Sequence, residues 1–255
     1  MPSLVGSEMC IRDSPNADYN YIWTNETGAE IGYDIEQNVI AAGKYTVTAY
    51  DKLPDGCNRS RNIVVIESNV ATLERSFITI VDEGNVINSE NNLSIAIDVI
   101  NNDLGPGDYQ FAILNKENNE RTPIIGFQDE PLFENLEGGI YTVIVNDRNG
   151  CVEDAKLDVS VIQFPKYFTP NQDGTNDTYV VKGVNRDFYS DASINIFNRF
   201  GKLVAQEQID SQGWNGMYNG KLLPSDDYWF NITLIPTDTT KPIINKKGNF
   251  SLLRK

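Results

Sequence analysis

Three features of this 255-residue sequence predict an all-β chain of tandem antiparallel β-sandwiches. Apolar and polar residues alternate over short runs. Asn, Gly, Pro and Asp cluster between those runs. No stretch sustains the period of a helix. A hydrophobic content of 40% with 22% charged residues is that of a globular chain. The length accommodates two or three small domains, since compact domains commonly take about 100–150 residues.

An internal repeat organises the first two thirds. Gly43-Lys44-Tyr45-Thr46-Val47-Thr48-Ala49-Tyr50-Asp51 runs on to Gly56-Cys57, and Gly139-Ile140-Tyr141-Thr142-Val143-Ile144-Val145-Asn146-Asp147 runs on to Gly150-Cys151. Each is an alternating run closed by an Asp-containing turn and followed by a second apolar strand, at 63–66 and 157–162. Further strands are expected at 19–24, 93–100, 109–114 and 132–135, parted by turn signals such as Asn101-Asn102-Asp103 and Gly105-Pro106-Gly107-Asp108. From Phe164 the aromatic density rises, which implies a separate small core. Ser193 to Asn198 and Lys202 to Ala205 read as a hairpin across Arg199-Phe200-Gly201, and 227–235 as a long strand.

Leu4-Val5-Gly6-Ser7-Glu8-Met9-Cys10-Ile11-Arg12-Asp13 reads as the translation of a transposon-based sequencing-library adaptor, CTC GTG GGC TCG GAG ATG TGT ATA AGA GAC. Residues 1–14 are therefore set aside, and the natural chain is expected to continue upstream of Pro15. The expected division is then a truncated sandwich at 15–69, a full one at 70–163 and a third at 164–255.

Several functions are excluded on composition. A net charge of -15 leaves no Lys/Arg surplus for phosphate backbones, so no nucleic-acid partner is expected. No run of about 18 apolar residues is present, so no transmembrane segment is expected. There is no histidine, which removes Ser-His-Asp, Cys-His and most zinc chemistry. Three cysteines cannot all pair. Cys10 falls in the set-aside leader, and Cys57 and Cys151 occupy equivalent places in separate copies, which disfavours a bond between them. Adjacent acids such as Asp129-Glu130 and Asp226-Asp227 read as solvated turns, so no catalytic residue is expected and the chain is read as not an enzyme.

The segment Phe164-Pro165-Lys166-Tyr167-Phe168-Thr169-Pro170-Asn171-Gln172-Asp173-Gly174-Thr175-Asn176-Asp177 resembles the opening of the type B sorting domain of the type IX secretion system, also called the gliding-motility-associated C-terminal domain. Three further blocks agree in order. The first contains Phe197, Arg199 and Gly201. The second contains Trp214, Gly216, Tyr218, Gly220, Pro224, Asp227 and Tyr228, and the last contains Lys247, Gly248 and Phe250. Gln172 departs from a common Gly and Asn249 from a frequent His. The resemblance implies a Bacteroidetes-type protein carried across the outer membrane to the medium or the cell surface after periplasmic transit, with the type IX translocon and an outer-membrane partner protein reading the last domain. The upstream copies are similar to Ig-like repeats. An adhesin-like protein is the favoured whole. The alternative is a secreted hydrolase whose catalytic domain lies upstream.

Asn171, Asp173, Asn176 and Asp177 bring oxygens together on a short loop around Gly174. Calcium could be held there, or the same residues could simply cap turns. No other cofactor is expected. Trp23, Trp214 and Trp229 are expected in sandwich cores, whereas exposure would make them platforms for a surface glycan. Residues 249–255 read either as an edge strand open to a partner or as an ordinary strand. Lys241, Lys246, Lys247, Arg254 and Lys255 form a basic patch that either steers docking or guards an edge.

Overall fold

Strand formation follows the alternation closely in a computed structural model that describes residues 3–4, 19–52, 58–84, 92–116, 123–149 and 153–254. Cys10, Cys57 and Cys151 lie outside the described residues, as does all of the adaptor-like leader except Ser3-Leu4. The chain divides into two compact units. One comprises residues 1–73, 103–110 and 145–155, and the other residues 74–102, 111–144 and 156–255. The architecture is all-β with several antiparallel sheets.

A two-residue bridge joins β1 (Ser3–Leu4) to β6 (Glu67–Ser68). Between them, β2 (Tyr19–Thr24), β3 (Glu30–Gly32), β4 (Gly43–Asp51) and β5 (Arg59–Val65) form a sheet in the order β3-β2-β4-β5. The first repeat copy is therefore a central strand, and Trp23 is buried beside it with its indole N–H donated to the Asp34 carbonyl at 2.9 Å.

The middle module packs two sheets. Its first contains β7 (Ile78–Val81), β8 (Leu93–Ile97) and β11 (Leu132–Leu136) in the order β11-β8-β7, preceded by a 3-10 turn at Arg75–Phe77. Its second contains β9 (Tyr109–Asn115), β10 (Ile125–Gln128), β12 (Gly139–Asp147) and β13 (Ala155–Val161) in the order β10-β9-β12-β13. Alternation places Leu93, Ile95 and Ile97 of β8 in the core, where each large apolar side chain contributes about 1.5–3 kcal/mol.

The C-terminal module is built on β14 (Tyr167–Phe168), β15 (Tyr189–Phe197), β16 (Leu203–Gln208), β19 (Asp226–Pro236) and β20 (Ile244–Leu252), ordered β14-β20-β19-β15-β16. The second layer is formed by shorter pieces, the bridges Gln163 to Lys182 and Tyr179 to Trp214 and the ribbon β17 (Met217–Tyr218) with β18 (Lys221–Leu222). Asn219 and Gly220 both take positive φ, the requirement of the two-residue turn joining that ribbon. The expected hairpin across 199–201 is present, with the Asn198 side chain accepting the N–H groups of Phe200 and Lys202. The pairing of β14 on β20 is parallel.

A local device recurs three times along the chain. The hydroxyls of Tyr45, Tyr141 and Tyr228 donate to the carbonyls of Ala41, Glu137 and Pro224, each four residues upstream, at 2.7, 2.8 and 3.0 Å. This is the tyrosine corner of immunoglobulin-type sandwiches, which satisfies a buried hydroxyl while pinning the entry to a central strand. Tyr45 and Tyr141 lie in the sequence repeat, and around Tyr228 only the tyrosine and its backbone acceptor are kept.

Candidate functional site

The motif blocks converge on one aromatic core. Along β19, Tyr228, Phe230, Ile232 and Leu234 face inward, and Phe250 of β20 packs among Tyr228, Phe230, Phe168, Tyr179 and Trp214. The Tyr179 and Phe250 rings stack with centroids 3.6 Å apart. Gly248 is required opposite Phe230, because a Cβ there would stand 2.6 Å from that ring. Tyr179 buries a hydroxyl with no hydrogen-bond partner, and burial pushes its ionisation far above the ordinary tyrosine range. Tyr179→Phe removes this unsatisfied group, so urea unfolding should show a gain of about 1 kcal/mol. A loss of that size would mean that the hydroxyl is paired in solution.

Trp214 and Trp229 part company. Trp214 is 3% exposed and donates its indole N–H to the Met217 carbonyl at 2.9 Å. Trp229 is 43% exposed, against the expectation of a core position. It lies between the inward residues Tyr228 and Phe230, and a strand cannot turn three consecutive side chains to one face. It therefore projects from the outer face of the sheet, in register with Phe197 on one neighbour and Asn249 on the other.

The loop after β14 closes on Asp177. Its two carboxylate oxygens accept the N–H groups of Asn171, Gln172 and Gly174 at 3.0, 2.6 and 2.8 Å. Asn171 and Asp173 cap one another, Asn171 accepting the Asp173 N–H and donating its amide to the Asp173 carboxylate, which also accepts the Thr175 N–H. Gln172, Gly174 and Asn176 take left-handed φ values of 65°, 84° and 52°. The left-handed φ at Gln172 costs a residue with a Cβ about 1–2 kcal/mol. These oxygens serve backbone donors in a set of Asx turns, and among the described residues no group of three or more Asp, Glu, His or Cys is placed to hold a metal ion. Asp177→Ala orphans three N–H groups and should cost about 1–2 kcal/mol on urea unfolding, with the same midpoint in calcium and in chelator.

The blocks are tied to one another by polar contacts. Arg199 lies over the Phe200 ring and 3.6 Å from Asp226, and Asp227 accepts the Ser251 hydroxyl at 2.6 Å. Lys202 sits 4.5 Å from the Tyr218 ring centroid. Arg254 donates to the carbonyls of Leu223 and Gly216 at 2.9 Å each, so it is a clamp on the Gly216 turn and not part of a free basic patch. Gly216 is irreplaceable there, since a Cβ would meet Leu252 at 2.5 Å. Lys255 lies outside the described residues. Pro170, Gly201 and Gly220 shape exposed or half-exposed turns, and Pro224 supplies the Tyr228 acceptor.

The start of the module is gripped by the middle one. The Asp82 carboxylate, buried, accepts the Ile162 N–H at 3.0 Å, and Glu83 accepts the Phe164 N–H at 2.6 Å. The Ser160 hydroxyl donates to the Gly183 carbonyl at 2.6 Å, and Lys182 pairs with Glu137. Nearby, a cavity of about 460 Å³ is lined by Arg75, Asp82, Tyr189, Asp238 and Lys241 among others, where burial and the neighbouring Arg75 cation hold Lys241 below the ordinary lysine range. None of Asp82, Glu83, Ser160 or Gly183 was singled out in the sequence, and nothing short of the tertiary structure could have paired them.

Residues 162–251 match the family model described as the CHU_C Type IX secretion signal domain. A signal of this type implies interaction with the secretion machinery and export across the outer membrane to a secreted or surface location. No curated protein matches the chain. Among solved structures it is similar to the tetra-tandem repeat in the extending region of a large adhesion protein, with 14% identity, 94% of this chain and 68% of that one covered, and a TM-score of 0.23. A second likeness is to Sidekick-1 immunoglobulin domains 1–5, at 13% identity and a TM-score of 0.20, covering 93% of this chain and 54% of that one. A third is to the Bacteroides ovatus mixed-linkage glucan utilization locus SGBP-B, at 13% identity and a TM-score of 0.18, covering 100% of this chain and 70% of that one. Among the described residues no helix is long and apolar enough to cross a membrane.

Proposed function

We propose that residues 164–255 form the export address of a secreted or cell-surface, adhesin-like protein, read by the type IX translocon together with an outer-membrane partner. The modules before it act as Ig-like stalk or binding units, and the chain carries no catalytic centre of its own. The observation that carries the reading is the family match over residues 162–251, which falls on a module with its own aromatic core. Its motif residues are consumed in shaping that module: Asp177 and Gly216 build turns, Trp214, Tyr228 and Phe250 fill the core, and Gly248 makes room for Phe230.

The test is secretion of a fluorescent protein carrying a periplasmic leader and the whole chain, in a gliding Bacteroidetes host with and without a working translocon and supplied with the cognate partner. Fluorescence outside the cell only with the translocon is the expected result. A folded reporter retained in the periplasm of both strains would sink the assignment.

A further inference from the structure

The two edges of the C-terminal sheet differ. At one edge β16 (LVAQEQ) pairs with β15, and its outer side, which carries an acid and no base, has no strand beside it among the described residues. At the other, β20 is flanked by β14, which covers only Ser251 and Leu252. The outer side of β20 from Ile244 to Phe250 has no strand beside it among the described residues. The Ser251 N–H donates outward to the Lys166 carbonyl and the Leu253 N–H to the Phe168 carbonyl. Amides alternate in direction along a strand, so Asn245, Lys247 and Asn249 also turn their N–H and C=O groups outward. These six backbone groups form a row that an extended polypeptide can pair with.

The charge along this edge is specific. β20 reads INKKGNFSL, with two lysines and no acid, in a chain that carries 36 acids and 21 bases. Lys247 is exposed on the outer face, and Lys246 is half-exposed on the inner one. A second copy of this chain adding through the same edge would bring the lysines of both copies to about one strand spacing, ~4.8 Å, as like charges. The edge therefore opposes self-pairing and complements an acidic strand.

We propose that β20 is a docking edge for an extended acidic segment of the partner that recognises this domain, added as a further strand over Ile244 to Asn249 and ending where β14 begins. The inference rests on the export reading only for the identity of the partner, and the two are separable by experiment. In the first arm, the purified whole chain is mixed with a millimolar eight-residue peptide alternating glutamate and valine, and amide hydrogen exchange is followed residue by residue. Protection of the amides of 245, 247 and 249 by tenfold or more is expected, with none from a lysine–valine peptide. No protection, or equal protection by both peptides, overturns the proposal.

In the second arm, the reporter chain carries Lys246→Glu and Lys247→Glu, checked for an unchanged unfolding midpoint. Export is expected to fall tenfold or more, with folded protein left in the periplasm. Unchanged export, with or without new dimers in solution, would mean that the lysines only guard the edge, and would overturn the proposal while leaving the export reading intact. If the unaltered reporter is not exported, the export reading fails and the exchange experiment alone decides whether β20 takes an acidic strand.

Discussion

Phe250→Ala is expected to cost about 3–5 kcal/mol, read as a fall in the urea midpoint of the unit that contains the C-terminal module. The ring is 1% exposed and contacts five other aromatic rings, so its loss forfeits both transfer energy and ring contacts while leaving a hole. The surrounding rings are held by backbone bridges, Tyr179 to Trp214 among them, and cannot collapse inward to fill it. With native stabilities of about 5–15 kcal/mol, such a loss takes much of the margin. Trp229→Ala, a larger deletion on the outer face of the same sheet, should cost under about 1 kcal/mol because the side chain is 43% exposed and outside the aromatic core. Comparable costs for the two would mean that the inside and outside faces of β19 are wrongly assigned.

Gly183→Ala is expected to cost about 2–4 kcal/mol and to loosen the joint with the middle module. Gly183 has φ +76°, and an added Cβ would sit 2.2 Å from the Val161 carbonyl oxygen. Neither backbone can retreat, since Lys182 and Gln163 exchange both N–H to carbonyl bonds and Ser160 holds the Gly183 carbonyl. Gly201→Ala provides the control. Gly201 has nearly the same φ, +74°, but open space where the Cβ would go, so it should show only the left-handed penalty of about 1–2 kcal/mol. Urea unfolding and proteolysis of residues 162–166 measure both variants. Equal losses would mean that the joint yields and the contact with Val161 is not tight.

How much of this was legible beforehand varies by residue. The repeat segments at 43–51 and 139–147 are strands to the residue, because period-2 alternation and flanking glycines are local signals. Trp214 was placed correctly in the core and Trp229 was not, although the run Tyr228-Trp229-Phe230 contained the warning that one of three consecutive aromatics must face outward. The oxygens of Asn171, Asp173, Asn176 and Asp177 looked equally suited to a cation or to turns. In space the Asp177 oxygens accept the Asn171, Gln172 and Gly174 amides, a pairing that depends on backbone direction and not on composition. Arg254 belonged to a basic patch on paper and to the Gly216 turn in space.

The sequence by itself determined the all-β class, the strand runs, the turn positions and the four motif blocks, all of which depend on neighbours within a few residues. The tertiary structure decided which strands lie at the edges of the last sheet, which tryptophan faces solvent, and how Asp82, Glu83 and Ser160 grip the start of the C-terminal module. Those outcomes depend on strand order and on hydrogen bonds between groups as many as 81 residues apart, a separation over which local pattern carries no information.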